Sequence, residues 1–416
     1  MTTKPISIPK SIIWDAYKRV KANRGAAGID NQSISDFEED LKNNLYKIWN
    51  RMSSGSYFPP PVKQVPIAKK GGNGVRKLSV PSVSDRIAQT VVKFYLEPCL
   101  EPIFHTDSYG YRPRRSALDA VAVTRRRCWR YAWLVEFDIR KAFDSLDREM
   151  LFKAIRHHVT EKWIVMYIER WLTAPIITPE GEEVIPCQGV PQGSVIGPVL
   201  MNLFMHYTFD YWMERMHPDC PFARYADDAV VHCKSKQQAE QLLNSITQRL
   251  QDCRLEIHPD KSKIVYCKSN MRPGTYKHVQ FTFLGFDFRP RWARQKGKKR
   301  AFIGFIPAIS DSAQKDIRAQ IRAFHLHRRN DLSLLQIAQY WNPIVRGWWN
   351  YYGKFNPSEF RRVTNYLHMK IIQWARRKYV KLRHSKKASR DWLRRVIKKM
   401  PTLLYSATLF ESRLVG

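Results

Sequence analysis

Two adjacent aspartates, Asp227 and Asp228, lie between two short apolar runs in the segment FARYADDAVVHC. The runs have the composition of β-strands, so the segment predicts a β-hairpin with the two aspartates in its turn. Asp tolerates turn conformations, and an ordinary hairpin tip is one interpretation. The residues typical of such a turn are Asn-Gly and Asp-Gly, however, and adjacent carboxylates repel each other. A bound divalent cation would cancel that repulsion, which favours a metal-binding function for the pair.

A third carboxylate, Asp138, ends the apolar run WLVEFD, a predicted buried strand. A strand-end aspartate and a hairpin aspartate pair are what a two-metal phosphoryl-transfer site requires. Two Mg²⁺ ions about 3.5–4 Å apart would activate a 3′-hydroxyl and stabilise the leaving pyrophosphate. We expect Asp138 and Asp227 to be the metal ligands, with Asp228 close to them and the backbone carbonyl of Ile139 added. Hard oxygen ligands suit Mg²⁺, with Mn²⁺ as a substitute.

The net charge indicates the kind of partner. The 416 residues carry a formal charge of +34, from 71 Lys and Arg against 37 Asp and Glu. An excess this large indicates a polyanion. An anionic membrane surface is the alternative, but the sequence has no run of 18 apolar residues and no basic helix with a clean lipid-binding face, so we expect no membrane partner.

Positive charge is concentrated at the end of the chain. Residues 287–416 hold 30 Lys and Arg against 7 Asp and Glu, and six of the thirteen tryptophans. Basic residues interleaved with aromatics suit a phosphate backbone with stacked bases. The other interpretation is that the aromatics form a helical core and the charges a solvated face, and amphipathic helices can provide both at once.

The N-terminus and the cysteines indicate a compartment. The first ten residues, MTTKPISIPK, lack the apolar region of a secretion signal. The seven cysteines are scattered without a C-x-x-C pair, which gives no zinc signature and fits structural thiols in a reducing environment. We therefore expect a cytoplasmic protein.

Hydrophobic periodicity predicts helices and strands mixed without strict alternation, which favours an α+β fold. Strands are predicted in the hairpin and at residues 133–138, with broken strands at 55–82 and a strand pair at 280–288. Ser235 is the predicted N-cap of the helix after the hairpin. Further helices are predicted at residues 11–50 (around a loop at 22–33), 83–128, 148–173 and 200–216, and over most of the chain from 309.

Several segments occur in the order of the palm motifs of reverse transcriptases, and the chain resembles that family. They are VEFDIRKAFDSLD, CQGVPQGSVIGPVLMNLF, FARYADDAVV, LEIHPDKSK and FTFLGFDF. Upstream, ANRGAAGID, VRKLSVPSVSDRIAQ and HTDSYGYRPRRSALDA look like the extra blocks of group II intron-encoded enzymes. Downstream, YWNPIVRGWWNYYGKF looks like their maturase-specific region. The resemblance runs from about Trp14 to about Arg383, and nine motifs in order leave little room for chance.

The resemblance implies a right-hand polymerase with fingers, a palm containing an antiparallel sheet, and an all-α thumb with maturase character. It divides the chain into residues 1–82 (N-terminal extension and start of the fingers), 83–288 (fingers and palm) and 289–416 (thumb and maturase). The implied activity is RNA-directed DNA polymerisation. The implied partners are an RNA template, a DNA or RNA primer and a group II intron RNA whose splicing and retrohoming the protein assists.

Residue roles follow from the resemblance position by position. Asp138, Asp227 and Asp228 match the catalytic carboxylates, and Lys261 matches a lysine proposed to donate a proton to pyrophosphate. Phe143 matches the residue that packs under the sugar and rejects a 2′-hydroxyl. Gln192 matches the glutamine that lines the nucleotide pocket. Lys69 and Arg76 match the two residues that grip the triphosphate. Arg suits a bidentate phosphate contact, whereas Lys acts as a point charge.

Two further segments match template and primer contacts. The loop around Arg24 and Gly28 resembles a lid-like loop that contacts the template, although a glycine-rich surface turn would look similar. Phe283, Leu284 and Gly285 match the primer grip, and a plain core strand would look much the same.

The sequence departs from the family pattern in two places. Where the family usually reads PQGG followed by SPLLAN, this chain has Ser194 and Gly197 and then PVLMN. After Tyr352 there is no cysteine, and the histidines His368 and His384 are isolated. We therefore expect no Cys/His-containing DNA endonuclease domain.

Other functions remain open at this point. A domesticated relative in DNA repair or phage defence would keep the same chemistry with a different partner, and the DNA flanking the gene would distinguish it. A splicing factor with a vestigial polymerase site is a second alternative, which the intact aspartates disfavour. A template-independent or RNA-copying polymerase is a third, and Phe143 favours dNTPs over NTPs.

Overall fold

The computed structural model describes residues 5–68, 74–294 and 301–409. They form two compact units. The first contains residues 1–120 and 133–264, and the second contains residues 121–132 and 265–416. The chain therefore contributes a short segment to the second unit before it completes the first.

Helices and strands are mixed in the first unit, as the sequence predicts. Its helices are Lys10–Ala22 (α1), Ile34–Glu39 (α2), Leu41–Ser54 (α3), Val83–Leu100 (α4), the start of Ala117–Arg130 (α5), Ala142–Ser145 (α6), Arg148–His158 (α7), Lys162–Thr173 (α8), Gly197–Met205 (α9), Tyr211–Met216 (α10) and Lys236–Asp252 (α11). Its strands are Val62–Ala68 (β1), Val75–Val80 (β2), Trp133–Asp138 (β3), Ile176–Ile177 (β4), Glu183–Val184 (β5), Phe222–Tyr225 (β6) and Asp228–Cys233 (β7). At Lys263–Tyr266 (β8) the chain passes into the second unit.

Two sheets organise these strands. One has the order β2-β1-β4-β5, with β1 antiparallel to β2 and parallel to β4. The other has the order β6-β7-β3-β8, and β7 is antiparallel to both β6 and β3. The middle strands β3 and β7 are largely apolar and buried, and their aspartate ends lie at an edge of the core. The antiparallel sheet predicted for the palm is therefore present.

Side-chain caps fix several helix starts. The Ser235 hydroxyl accepts from the backbone N–H of Gln238 at 3.1 Å, which confirms the predicted N-cap of α11. Ser82 caps α4 in the same way, by accepting from the N–H of Asp85. Such caps satisfy N–H groups that have no partner within the helix.

The second unit is a small sheet followed by helices. Its strands are Phe281–Phe283 (β9), Phe286–Arg294 (β10) and Ala301–Ile309 (β11), in the order β11-β10-β9. The helices are Asp311–Ala323 (α12), Leu334–Tyr352 (α13), Pro357–Lys378 (α14), Lys386–Lys399 (α15) and Tyr405–Thr408 (α16). The predicted strand pair and the helical C-terminal region are confirmed.

The tryptophans of this unit are mostly structural. Trp341 and Trp374 are buried in the helical core, and three others pack against it, namely Trp348, Trp349 and Trp392. Trp292 on β10 differs, because 74% of it is exposed. The structure therefore favours the core interpretation for these five rings, whereas Trp292 is open to solvent.

Several predicted boundaries shift. The predicted helices at 83–128 and 148–173 are each interrupted, at residues 104–116 and 159–161. The 200–216 helix contains a π-helical turn at His206–Asp210. The predicted domain boundary at residue 288 falls within β10, whereas the boundary at 82 coincides with the start of α4.

None of the helices in the described residues combines the length and apolar character that a membrane span requires.

Candidate active site

Three carboxylates meet at the ends of neighbouring strands in the first unit. Asp138 is the last residue of β3 and pairs in register with Asp228, the first residue of β7. Asp227 precedes Asp228 in the turn of the β6–β7 hairpin. The three side chains predicted to act together therefore lie at one sheet edge.

The hairpin turn differs by one residue from the prediction. Tyr225 pairs with Asp228, so the turn consists of Ala226 and Asp227, and Asp228 belongs to the strand. Ala226 takes the left-handed conformation, with φ of 60°. Asp228 is drawn into the strand because it pairs on both sides, with Tyr225 of β6 and with Asp138 of β3.

The environment of Asp228 disfavours its charge. Burial raises the pKa of the Asp228 carboxyl to about 8. Neighbouring carboxylates contribute to this rise, and the Lys261 ammonium offsets part of it; the carboxylates are those of Asp227, Glu136 and Asp138. Carboxylates that are ionised together at this edge therefore require a positive charge beside them.

Asp227 shows the same tendency more weakly. Burial is the main cause of its raised pKa, and the charge of Asp138 adds to the rise. A backbone hydrogen bond and the cations of Arg76 and Arg224 offset part of it. Arg76 on β2 therefore lies close enough to act on this carboxylate.

A lysine already supplies positive charge to the site. Lys261 Nζ lies 2.6 Å from Asp138 Oδ2. The turn that carries it is held in place because the His258 N–H donates to the Asp138 carbonyl at 2.8 Å. Ile139 is buried and forms a β-bridge with Ile257. The structure thus brings Lys261 to Asp138, and Ile139 follows that carboxylate directly in the chain.

The donor set fits a divalent cation. Within residues 5–68, 74–294 and 301–409, no three His, Cys, Asp or Glu side chains are already arranged around a metal position. The carboxylates of Asp138, at the end of β3, and Asp227, in the adjacent hairpin turn, nevertheless provide hard oxygen donors. The ammonium of Lys261, paired with Asp138, already supplies one positive charge at this edge.

The predicted sugar and nucleotide contacts lie side by side. Gln192 Nε2 donates to both carboxylate oxygens of Asp144 at 3.2 Å. The Val190 N–H donates to the carbonyl of Phe143 at 2.8 Å. These hydrogen bonds hold the half-buried Phe143 and the amide of Gln192 next to each other. Asp144, which binds Gln192, is a residue of the site that the sequence did not predict.

The predicted triphosphate grip can be placed only in part. Arg76 is exposed on β2, opposite Ile67 of β1. Lys69 lies outside the described residues, so its role stays a prediction.

The two departures from the family pattern lie in contact with each other. The Ser194 hydroxyl accepts from the Gly197 N–H at 2.9 Å, at the start of α9. A Cβ atom at position 197 would lie 2.7 Å from that hydroxyl oxygen. Ser at 194 therefore favours Gly at 197.

The predicted template loop is anchored to the first unit. A Cβ atom at Gly28 would lie 2.6 Å from the backbone of Ser82, so only glycine fits this approach. Arg86 Nη2 donates to the Ala26 carbonyl at 2.6 Å. Arg24 is exposed and has a φ of 47°. The contacts at Ala26 and Gly28 thus hold the loop in place, and Arg24 is exposed on it.

The predicted primer grip belongs to the second unit. Leu284 and Gly285 form the β9–β10 turn with φ values of 51° and 78°, and Phe283 is buried before them. The Tyr351 hydroxyl donates to the Leu284 carbonyl at 2.8 Å, which ties this turn to α13.

Sequence reasoning missed a buried arginine. Arg224 lies within the quoted hairpin segment but is fully buried and ion-paired with Asp210. The only signal was a charged residue flanked by buried apolar positions in a predicted strand, because such residues are rarely buried unpaired. Its partner lies 14 positions away and carries no sequence signal.

A basic pocket occurs in the second unit. A cavity of about 530 Å³ is lined by His327, Lys370, Gln373, Arg376, Arg377 and Arg383. None of its Lys and Arg side chains pairs with a carboxylate of the described residues. Desolvation lowers the pKa of His327, and neighbouring cations lower it further. The pocket is therefore an unbalanced concentration of positive charge suited to an anion.

Two family profiles match the chain. Residues 67–288 match the reverse transcriptase (RNA-dependent DNA polymerase) family. Residues 314–392 match the group II intron maturase-specific domain.

Two known proteins are similar to this chain over most of its length. The group II intron-encoded protein LtrA of Lactococcus lactis subsp. cremoris is 25% identical over 430 residues, covering 82% of this chain and 68% of LtrA. Protein YkfC of Escherichia coli strain K12 is 28% identical over 343 residues, covering 73% of this chain and 85% of YkfC. A solved apo telomerase from Candida tropicalis, truncated from the C-terminal domain, aligns over 62% of this chain and 59% of its own with a TM-score of 0.43 and 14% identity, a similarity too low to support a conclusion.

Proposed function

Because the chain belongs to the reverse transcriptase family and carries a group II intron maturase-specific domain, we propose a division of its work between a copying site in the first unit and RNA binding in the second. The protein is an RNA-directed DNA polymerase, and its family uses divalent metal ions. We propose the following roles for individual side chains.

The observation that carries the proposal is the meeting of Asp138, Asp227 and Asp228 at one sheet edge. Asp138 and Asp227, with the Ile139 carbonyl, would hold two Mg²⁺ ions, for which Mn²⁺ can substitute. When bound, the ions lower the pKa of the primer 3′-hydroxyl and neutralise charge on the phosphates. Asp228 would add negative charge once cations bind, because their charge would oppose the burial and the carboxylate repulsion that raise its pKa.

Other side chains of the first unit orient the nucleotide. The ring of Phe143 would lie under the sugar and exclude a 2′-hydroxyl. Gln192, fixed by Asp144, would line the base and sugar pocket. Arg76 would grip the triphosphate with Lys69, and Lys261 would donate a proton to the leaving pyrophosphate.

The second unit is proposed to bind RNA. The basic pocket of α14 supplies cations without carboxylate partners, which suits phosphate oxygens. A group II intron RNA is the proposed partner, because the maturase-specific match covers this region and LtrA is described as group II intron-encoded. Binding of this RNA would assist splicing and retrohoming. The first unit would use an RNA template and a DNA or RNA primer as its substrates.

We place the protein in the cytoplasm. All seven cysteines are free, five of them buried, which suits a reducing compartment.

Primer extension tests the copying site. Asp227→Ala should abolish extension on an RNA template with Mg²⁺ and leave RNA binding largely intact, because only the metal site is removed. Asp219→Ala is the matched control, since this exposed carboxylate pairs with the exposed Lys234, at 3.8 Å. Substantial extension by Asp227→Ala would contradict the metal-ligand assignment.

A further inference from the structure

Arg224 is a buried guanidinium whose five N–H donors all have acceptors. Nε and Nη2 donate to the two carboxylate oxygens of Asp210, at 2.7 and 2.5 Å. Nη1 donates to Asn202 Oδ1 at 3.1 Å and to the carbonyl of Ala226 at 2.8 Å. The remaining Nη2 hydrogen goes to Ser108 Oγ at 2.8 Å. All five hydrogen-bond donors of the guanidinium are therefore satisfied. No other side chain offers five donors in this planar arrangement.

One of these hydrogen bonds reaches the catalytic hairpin itself. Ala226 is the left-handed turn residue directly before Asp227, and its carbonyl is held by Arg224. A non-glycine residue in this conformation is strained and persists only where its surroundings impose it. The hydrogen bond from Arg224 is such a constraint, and it acts one residue from the carboxylate proposed to bind metal.

The main chain of Arg224 is held as well. Its N–H donates to the Asp107 carbonyl at 2.9 Å, and its carbonyl accepts from the Tyr109 N–H at 2.8 Å. The same segment continues to Gly110, whose carbonyl accepts from Asn202 Nδ2 at 2.7 Å. Arg224 is therefore fixed independently of the turn that it holds.

The partner of Arg224 lies on an irregular turn. Asp210 ends the π-helical stretch His206–Asp210 between α9 and α10. One extra residue in a helical turn rotates the following side chains by about 100° relative to a continuous α-helix. The irregularity thus sets the direction in which Asp210 points. π turns are frequent at functional sites.

We propose that Arg224 is a positioning residue of the polymerase site, which holds Ala226 so that Asp227 and Asp228 present their carboxylates to the metal ions, with Asp210 as its fixed counter-charge. This rests on the proposed metal-ligand role of Asp227. A buried ion pair adds little net stability because both charges lose their hydration, so its geometric effect on the turn is the better reason for its presence.

Lysine at position 224 distinguishes this role from a general structural one. Lys keeps the positive charge next to Asp210 but has three donors on one nitrogen, so it cannot serve acceptors on opposite sides of a planar fork. The ion pair survives in Arg224→Lys, whereas the Ala226 carbonyl no longer has its donor.

The experiment compares Arg224→Lys with Arg170→Lys in the full-length chain. Arg170 is partly buried, whereas Arg224 is fully buried, and it too donates to carbonyls, those of Gly55 and Tyr57, which are remote in sequence from the hairpin. Thermal unfolding, primer extension kinetics and Mn²⁺ binding by electron paramagnetic resonance are measured for both. Arg224→Lys should lose about 10²-fold in kcat with little change in the KM for dNTP, because a small displacement of a catalytic group is that costly. Its Mn²⁺ affinity should fall, while Arg170→Lys keeps wild-type kcat and Mn²⁺ affinity.

Two results overturn the proposal. One is an Arg224→Lys variant that is less stable yet binds Mn²⁺ and turns over as the wild type does. The other is an equal loss of kcat in both lysine variants. If Arg224→Lys fails to fold, Ser108→Ala replaces it, because that change removes a single acceptor of Arg224. Wild-type kcat and Mn²⁺ affinity in folded Ser108→Ala would then reject the proposal. Activity retained by Asp227→Ala would instead contradict the metal site, whatever the result at Arg224.

Discussion

Lys261 places its ammonium nitrogen 2.6 Å from Oδ2 of Asp138, although 123 positions separate the two residues in the chain. The pair can serve as a charge contact or as a source of protons. Lys261→Arg separates these functions, because a guanidinium keeps the charge but does not release a proton. If Lys261 is a general acid, Lys261→Arg and Lys261→Gln should both reduce kcat for primer extension by about 10²-fold or more. Wild-type kcat in the Arg variant beside a slow Gln variant would show that Lys261 provides charge alone.

Phe143→Ala should raise the use of ribonucleotides relative to deoxyribonucleotides. Removing the ring frees volume where a 2′-hydroxyl would lie, while the backbone stays held by the bond from Val190 to the Phe143 carbonyl. The measurement is the ratio of kcat/KM for one NTP and its dNTP, with Phe143→Tyr as a control that keeps the ring. An unchanged ratio in an active Ala variant would contradict the steric role.

Ser194 and Gly197 should be energetically coupled. Gly197→Ser alone places a Cβ atom 2.7 Å from the Ser194 hydroxyl oxygen and should destabilise the protein by about 1–3 kcal/mol, as overpacking does. The double variant with Ser194→Gly removes the clash, so it should be more stable than the sum of the single changes predicts. Denaturant unfolding of the four proteins in the cycle measures the coupling, and additive effects would rule out the proposed compensation.

The basic pocket of the second unit should contribute to the salt dependence of RNA binding. Replacing Arg376, Arg377 and Arg383 by Gln should make the slope of log K against log[salt] shallower by about 0.7–0.9 for each phosphate that the protein no longer neutralises. Lys387, Lys398 and Lys399 are exposed residues outside the pocket, and their replacement by Gln removes the same charge. Equal slopes in the two triple variants would show that general charge, and not this pocket, binds the backbone. Full-length chains are needed, because a truncation at residue 288 would cut through β10.

Unfolding of the second unit should depend on pH through His368. Burial lowers the pKa of this imidazole to about 4, and Nε2 lies 2.8 Å from Ser406 Oγ. The unfolded chain therefore binds the proton more readily than the folded one, so stability is present above pH 6.5 and falls as the pH drops towards 4. The loss is at most about 3.5 kcal/mol, since a pKa of about 4 lies about 2.5 below 6.5 and each pKa unit corresponds to about 1.4 kcal/mol.

Thermal unfolding between about pH 4 and 7.5 checks this expectation. His368→Gln should flatten the profile over that range, and the exposed His384→Gln should leave it as in the wild type. A wild-type slope in His368→Gln would assign the pH dependence to other groups.

Local patterns in the sequence predicted much of the site. WLVEFD reads as a buried strand because it is largely apolar up to its last residue, and that last residue is Asp138. Ser235 reads as a cap because it precedes a helical repeat. These features depend on neighbours in the chain, which the sequence displays directly.

The parts that were wrong or missed depend on distant contacts. The hairpin turn moved by one residue because Asp228 pairs with Asp138, a residue far earlier in the chain, and local turn preference does not include that contact. Arg224 was overlooked because its acceptors come from separate segments of the first unit. The tryptophans were ambiguous because a stacking ring and a core ring have the same sequence pattern.

The interleaving of the two units has a consequence for synthesis on the ribosome. Residues 121–132 belong to the second unit, where the Cys267 N–H donates to the Ala132 carbonyl and Arg272 donates to the carbonyls of Cys128 and Tyr131. At about 5–20 residues per second, that segment waits on the order of ten seconds for its partners to emerge. During this interval the side chains that α5 buries in the finished second unit, such as Val121 and Cys128, lack the partners that come from residues 265–416. No single cut in the gene yields the second unit whole, because its first segment lies inside the first unit's stretch of chain.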